Sequence, residues 1–189
     1  MDAFTYWHNL GVLETLRGKY PEARFALEKS RHLTLYSEAT EQQLEIVNKQ
    51  LQIEESSGSS LGPRVLNEIV MLGPMKLWII AIISLIAAFL LIKREWKTKW
   101  KLFSLLLGVL PAAAVIYFQA TTVGFVTLKP IQVYEGPSKL FATGQTLPVG
   151  ARVVGKVEDK WLKVYSQDSQ VFWLQISEVT SKTGQLWGN

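Results

Sequence analysis

Two apolar runs with a short basic stretch between them constrain this chain more than anything else in it. Met75–Ile92 (MKLWIIAIISLIAAFLLI) carries one charge, Lys76, and none after it, and Leu102–Ala120 (LFSLLLGVLPAAAVIYFQA) carries no charge at all. At ~1.5 Å of rise per residue, either run is long enough as a helix to cross a hydrocarbon layer of ~30 Å. The segments on either side offer about 60 residues each, too few to enclose two such helices in a core of their own. The expectation is therefore a multi-part membrane protein with a transmembrane helix at 75–92, a basic cytoplasmic loop at 93–101 and a second transmembrane helix at 102–120.

Other residues agree with this reading. Trp78, Trp96, Trp100 and Tyr117 lie near the ends of the spans, where amphipathic rings favour the headgroup layer. Pro111 removes one internal hydrogen bond and predicts a kink in the second helix. Ser84 with Ala88, and Ser104 with Gly108 and Ala112, recur every four residues and give each helix a narrow strip along which backbones approach. No ionisable residue lies deep in either span, so an ion path or proton relay has nothing to be built from.

Charge sets the orientation. The net +4 is uneven: residues 1–62 hold six basic and nine acidic residues, whereas 93–101 hold five basic and one acidic. Short loops rich in Lys and Arg stay cytoplasmic, so Lys93, Arg94, Lys97, Lys99 and Lys101 predict a multi-pass protein with both termini outside. Met1-Asp2-Ala3-Phe4 opens directly in helical sequence without the charged and apolar regions of a signal peptide, and the natural start is expected upstream.

Ahead of the spans, Trp7, Leu10, Leu13 and Leu16 recur at nearly helical spacing, and after the turn Arg17-Gly18-Lys19 a second helix places Ala23, Leu27 and Ser30 on one face. Gly11 and Ala23 are small enough for the pair to approach closely. A third helix, Ser37 to Glu55, carries Leu44, Val47 and Leu51 on one stripe. Residues 1–55 thus form a helical domain, followed at 56–74 by a Ser-Gly linker (SSGSS) and a candidate interfacial helix over Pro63–Leu72.

Beyond Gly124 the period shortens to strand-like runs at Phe125–Leu128, Ile131–Tyr134, Arg152–Val157, Trp161–Tyr165 and Val171–Ile176, separated by Gly, Pro and Asp turns. They predict an all-β barrel of five or six strands over 121–180, with 181–189 as a tail. Phe125, Val133, Leu147, Val153, Trp161, Val164 and Trp173 are expected to supply most of its core. Tyr134, Tyr165 and Trp173 are the candidate protein- or peptide-binding residues, Trp173 serving both readings.

Catalysis has little to stand on. Without cysteine there are no disulfides, thiolate metal sites or cysteine nucleophiles. His8 and His32 are the sole histidines, and there is no glycine-flanked nucleophile turn or phosphate-binding glycine loop. No catalytic residue, metal or cofactor is expected. Lys156, Lys160 and Lys163 surround one hairpin and read as a solvated face.

Three resemblances follow from these residues. Trp7, Leu10, Gly11, Gly18, Tyr20, Ala23 and Leu27 stand where a tetratricopeptide repeat places its large, small, glycine and aromatic positions, with departures at Glu14, Ser30 and Leu35. Val133–Ser138, Leu147–Gly150, Trp161–Val164 and Phe172–Leu174 resemble the ordered pieces of a bacterial Src-homology-three-like (SH3-like) domain, with Phe172 where that family commonly has glycine. The whole layout resembles BatE-type proteins of the Bacteroides-aerotolerance group. That resemblance implies a noncatalytic inner-membrane scaffold with both domains periplasmic, partnered by von Willebrand A-type membrane proteins, other repeat proteins and a MoxR-type ATPase. The alternative is a module that binds peptidoglycan and tethers the envelope; nucleic acid is not expected as a partner.

Overall fold

The computed structural model describes residues 1–53, 74–93, 109–110, 113–114, 116–117, 120–165 and 171–187. Three helices open the chain. Helix α1 (Ala3–Leu16) starts at Asp2, whose carboxylate accepts from the Thr5 amide at 2.7 Å and from its hydroxyl at 2.9 Å, quenching a backbone donor that the first turn leaves unpaired. Gly18, at φ +72°, reverses the chain. Helix α2 (Tyr20–His32) then begins with Pro21 in its first turn, where a missing N–H costs nothing. Helix α3 (Glu38–Gln50) follows an N-cap at Ser37.

Ala23, Leu27, Leu44 and Val47 form the buried centre of this unit, with Tyr20 and Leu51 at its edges. Gly11 faces Leu27 so closely that a β-carbon there would lie 2.5 Å from the leucine Cγ. That contact decides how α1 rolls. Its expected stripe is not the buried one: Leu13 and Leu16 are 42% and 81% exposed, while Gly11 and Glu14 are buried. Helix α1 is apolar around most of its circumference, so the closest backbone approach selects the face, not the stripe.

The C-terminal part is a seven-stranded antiparallel sheet. In chain order its strands are β1 (Thr122–Thr127), β2 (Ile131–Tyr134), β3 (Ala142–Leu147), β4 (Arg152–Glu158), β5 (Trp161–Tyr165), β6 (Val171–Gln175) and β7 (Thr183–Trp187). Their spatial order is β3-β2-β6-β5-β4-β1-β7, with every pairing antiparallel. Strands β4 and β5 meet in a two-residue turn in which Asp159 adopts φ +54°, a conformation Asp tolerates. Phe125, Ile131, Val133, Val153, Leu162, Val164, Leu174 and Val179 close over one face as the core. Val179 comes from a short helix, α5 (Ile176–Lys182), that links β6 to β7.

Two expectations about this region are corrected. Trp161 and Trp173 are not core residues. Side chains alternate along a strand, and because Leu162, Val164 and Leu174 are the inward set, both indoles stand half-buried on the opposite face. Nor is the domain a barrel of five or six strands. Residues 183–187 add β7 beside β1 and residues 142–147 add β3 beside β2, leaving a seven-stranded sheet that is open at both edges.

The larger correction concerns the fold class. The sequence predicted soluble parts held apart by a transmembrane hairpin, whereas α2 packs directly on β1 and β7. Gly184 of β7 lets the Phe25 ring lie against its backbone, and Lys29 donates to the carbonyls of Gln185 and Leu186 at 3.0 and 3.1 Å. Gly150, at φ +81° in the β3–β4 turn, lies under Leu51 and Ile53, where a β-carbon would meet the Leu51 methyl at 2.6 Å. Helix α4 (Pro74–Lys93) covers the first apolar run and touches α2. Among the described residues, no helix is long and apolar enough to cross a membrane. Most of 102–120, the basic stretch 94–101 and the linker with its candidate interfacial helix lie outside the described residues.

Candidate functional site

Two surfaces collect chemistry that core packing does not use. The first is a row across the sheet, on the face away from the core. Strand register aligns Lys156 on β4 with Lys163 on β5, Lys163 with Trp173 on β6, Trp173 with Tyr134 on β2, and Tyr134 with Ala142 on β3. The Lys163 ammonium lies 5.4 Å from the centre of a Trp173 ring, and Tyr134 meets Trp161 edge to face at 5.1 Å. Such contacts fix ring orientation and are worth up to about 1 kcal/mol each. Tyr134 is buried beneath the tryptophans, while Trp161 and Trp173 keep part of their faces open. Leu140 and Phe141, in the 3-10 turn ahead of β3, are 91% and 53% exposed beside the same edge. A flat aromatic surface with a cation at its side suits an extended protein segment.

The second surface is a cleft of about 410 Å³ where α2, α3 and the start of β4 converge. At its base Glu28 is fully buried and receives Arg152 Nη1 at 3.2 Å on one carboxylate oxygen and 3.3 Å on the other. Arg31 reaches the same carboxylate at 3.8 Å and donates from Nε to Glu41 at 2.9 Å. Burial pushes the Glu28 carboxyl up, but Arg152, Arg31, Arg24 and His32 together outweigh it and hold the group at about 2. An ionised carboxylate survives in such a place only with close positive partners. Nearby, burial alone pulls the Lys29 ammonium below its ordinary value.

No family model matches this chain, and neither a curated protein nor a solved structure does.

Of the residues singled out from sequence, Tyr134 and Trp173 are brought together by register, and Tyr165 is paired with Val171 at the far end of β5. Lys93 closes α4; Arg94, Lys97, Lys99 and Lys101 lie outside the described residues. His8 lies 3.1 Å from the Thr40 hydroxyl, and among the described residues no group of carboxylates and histidines is placed to hold a metal. The charged cleft is not legible in the sequence. Its local signal was present, since Arg24, Glu28 and Arg31 recur at helical spacing, but Arg152 stands 124 residues away from Glu28 and only the fold joins them.

Proposed function

We propose that this chain is a noncatalytic scaffold, attached to a lipid bilayer through α4, that holds another protein against the aromatic row of its sheet. The observation that carries this reading is the exposed surface of α4. Trp78, Ile82, Ile83, Leu85, Ile86 and Phe89 are all 41% exposed or more, and helical spacing gathers them into one broad apolar face, with Ala81 buried outside it. A helix that is apolar all round needs a cover, and scattered exposure of single residues would not. Lipid is the cover favoured here. Lys93 and the basic residues that follow it in sequence complement anionic headgroups, and Trp78 at the other end suits the interface. In keeping with the resemblance to BatE-type proteins, the proposed bilayer is a bacterial inner membrane. The proposed protein partners are von Willebrand A-type membrane proteins working with a MoxR-type ATPase.

Flotation of the purified chain with phosphatidylethanolamine and phosphatidylglycerol vesicles tests the attachment. The native chain is expected to rise with the vesicles and an Ile83→Asp/Ile86→Asp variant to stay behind; equal flotation of both would refute the role of α4. For the scaffold, a photoreactive group in place of Trp173 is expected to cross-link a von Willebrand A-type protein in native membranes. Recovery of lipid alone would end that reading.

A further inference from the structure

A cavity of about 220 Å³ opens on the core side of the sheet, between β1, β4, β5 and the short helix α5, and it shares no residue with the aromatic row or the charged cleft. Its floor is Phe125 and Leu162, which are 0% and 2% exposed. Helix α5 is seven residues long, about 10 Å, and its apolar cover for this part of the sheet is Ile176 and Val179. The core face stays open beyond them, and Val157 stands 45% exposed at the lip.

The lining selects an apolar occupant. Among the described residues no charged side chain faces the cavity. Its two hydroxyls already donate elsewhere, Thr180 to the Ile176 carbonyl at 2.9 Å and Thr183 to the Val179 carbonyl at 2.6 Å. A buried water needs two or more polar partners, and apolar cavities that lack them stay dry or take up hydrocarbon.

Position in the chain says where hydrocarbon comes from. Ala120 and Thr121 are helical and the Thr121 hydroxyl donates to the Tyr117 carbonyl at 2.8 Å, so the second apolar run passes into β1 without a loop. Thr122 is paired with Lys156, the neighbour of Val157, which puts the lip at the end of the sheet where that run arrives. Leu110 and Ile116 within the run are 61% and 54% exposed. Apolar surface in want of a cover therefore leads along the chain to the mouth of the cavity.

We propose that this cavity takes up the end of one acyl chain of a membrane phospholipid and so seats the sheet on the bilayer. The proposal rests on the reading that the chain is attached to lipid. The acyl chain passes Val157 and Val123 and ends against Phe125 and Leu162, while the headgroup stays outside. Each methylene buried in this way tightens the hold about fourfold.

Photolabelling of the full chain in vesicles of phosphatidylethanolamine and phosphatidylglycerol tests this. The probe is a phosphatidylethanolamine with a diazirine in one acyl chain, placed either at the chain end or next to the glycerol, and labelled peptides are mapped by mass spectrometry. The chain-end form is expected to label Phe125 or Leu162, and the glycerol-side form to leave both unlabelled. Thr180→Trp, at an exposed rim position, is expected to block the mouth and cut that label about fourfold or more, the equivalent of one methylene lost. Should Thr180→Trp lose its far-ultraviolet circular dichroism, Val157→Asp at the exposed lip decides by the same criterion; label undiminished in the variant that decides would overturn the proposal. Helix α4 in the same sample separates this inference from the attachment it rests on. Label on α4 but not on β1 or β5 would overturn the cavity assignment and leave the attachment standing, label on β1 or β5 but not on α4 would support the cavity and remove α4 as the anchor, and label on neither would overturn both. Erasure of the cavity label by a small proportion of free long-chain fatty acid would assign the cavity to the free acid and overturn the phospholipid.

Discussion

Replacing Glu28 by Gln removes a buried negative charge at the base of the cleft and keeps the shape of the side chain. In the folded chain its carboxyl is held at about 2 against an ordinary value of 4.5. At about 1.4 kcal/mol per pH unit, that difference corresponds to about 3 kcal/mol of stability at neutral pH. Loss of one partner from a buried ion pair costs ~3–5 kcal/mol by general experience, which agrees. The sign follows from the depressed value. The contribution is complete above pH ~4.5, where the unfolded carboxyl is also ionised, and it disappears as the pH falls through ~2. Urea unfolding of the full chain in detergent, followed by tryptophan fluorescence at pH 7 and at steps down to pH 2, measures both effects. Glu28→Gln is expected to be about 3 kcal/mol less stable at pH 7 and to lose correspondingly less on acidification than the native chain. Asp2 and Glu45, whose carboxyls are also lowered, by hydrogen bonds to Thr5 and Lys49 respectively, remain in both proteins, so the difference between the curves isolates Glu28. A loss under ~1 kcal/mol at pH 7, or parallel pH curves, would refute the reasoning.

Three further substitutions probe the packing. Gly184→Ala drives a methyl into the Phe25 ring and is expected to cost ~1–3 kcal/mol, with part of the loss recovered in a Gly184→Ala/Phe25→Leu double variant; additive losses on thermal unfolding would deny the contact. Leu174→Ala empties a fully buried core position and is expected to cost ~2–5 kcal/mol, whereas Trp173→Ala, one residue earlier on the other face, is expected to cost less than half of that. Equal costs would mean that the strand faces are assigned wrongly. Thr127 is wholly buried and donates to the Pro148 carbonyl at 2.6 Å; Thr127→Val is expected to cost ~1–2 kcal/mol, and a neutral result would show that the bond adds nothing.

Much of the local structure could be read from short-range rules. Pro21 after Gly18, the apolar spacing of Ala23 and Leu27 and the stripe Leu44–Val47–Leu51 mark the second and third helices, because capping and periodicity act within a few residues. The hairpin turn at Asp159 and the strands Ile131–Tyr134 and Trp161–Tyr165 are visible for the same reason. Faces were harder to assign. Trp161 and Trp173 look like core by size, yet alternation gives the interior to Leu162 and Leu174. Strand β7 carries Gly184 and Gln185 and has almost no strand signal of its own, so β1 beside it supplies the order. Of the binding surfaces, Tyr134 and Trp173 were nameable as aromatic candidates, but nothing short of register makes them neighbours.

The sequence by itself determined the three N-terminal helices, most of the strands and turns, the absence of thiol chemistry and the two apolar runs, all of which depend on the identity and spacing of nearby residues. The tertiary structure alone decided that the helical unit docks on the sheet through Phe25 and Gly184, that Glu28 finds Arg152 across 124 residues, and that a charged cleft opens between them. The physical reason lies in the pairing of buried charge. An isolated Glu28 would be costly inside a protein, and only long-range packing brings the guanidinium groups that make its burial tolerable.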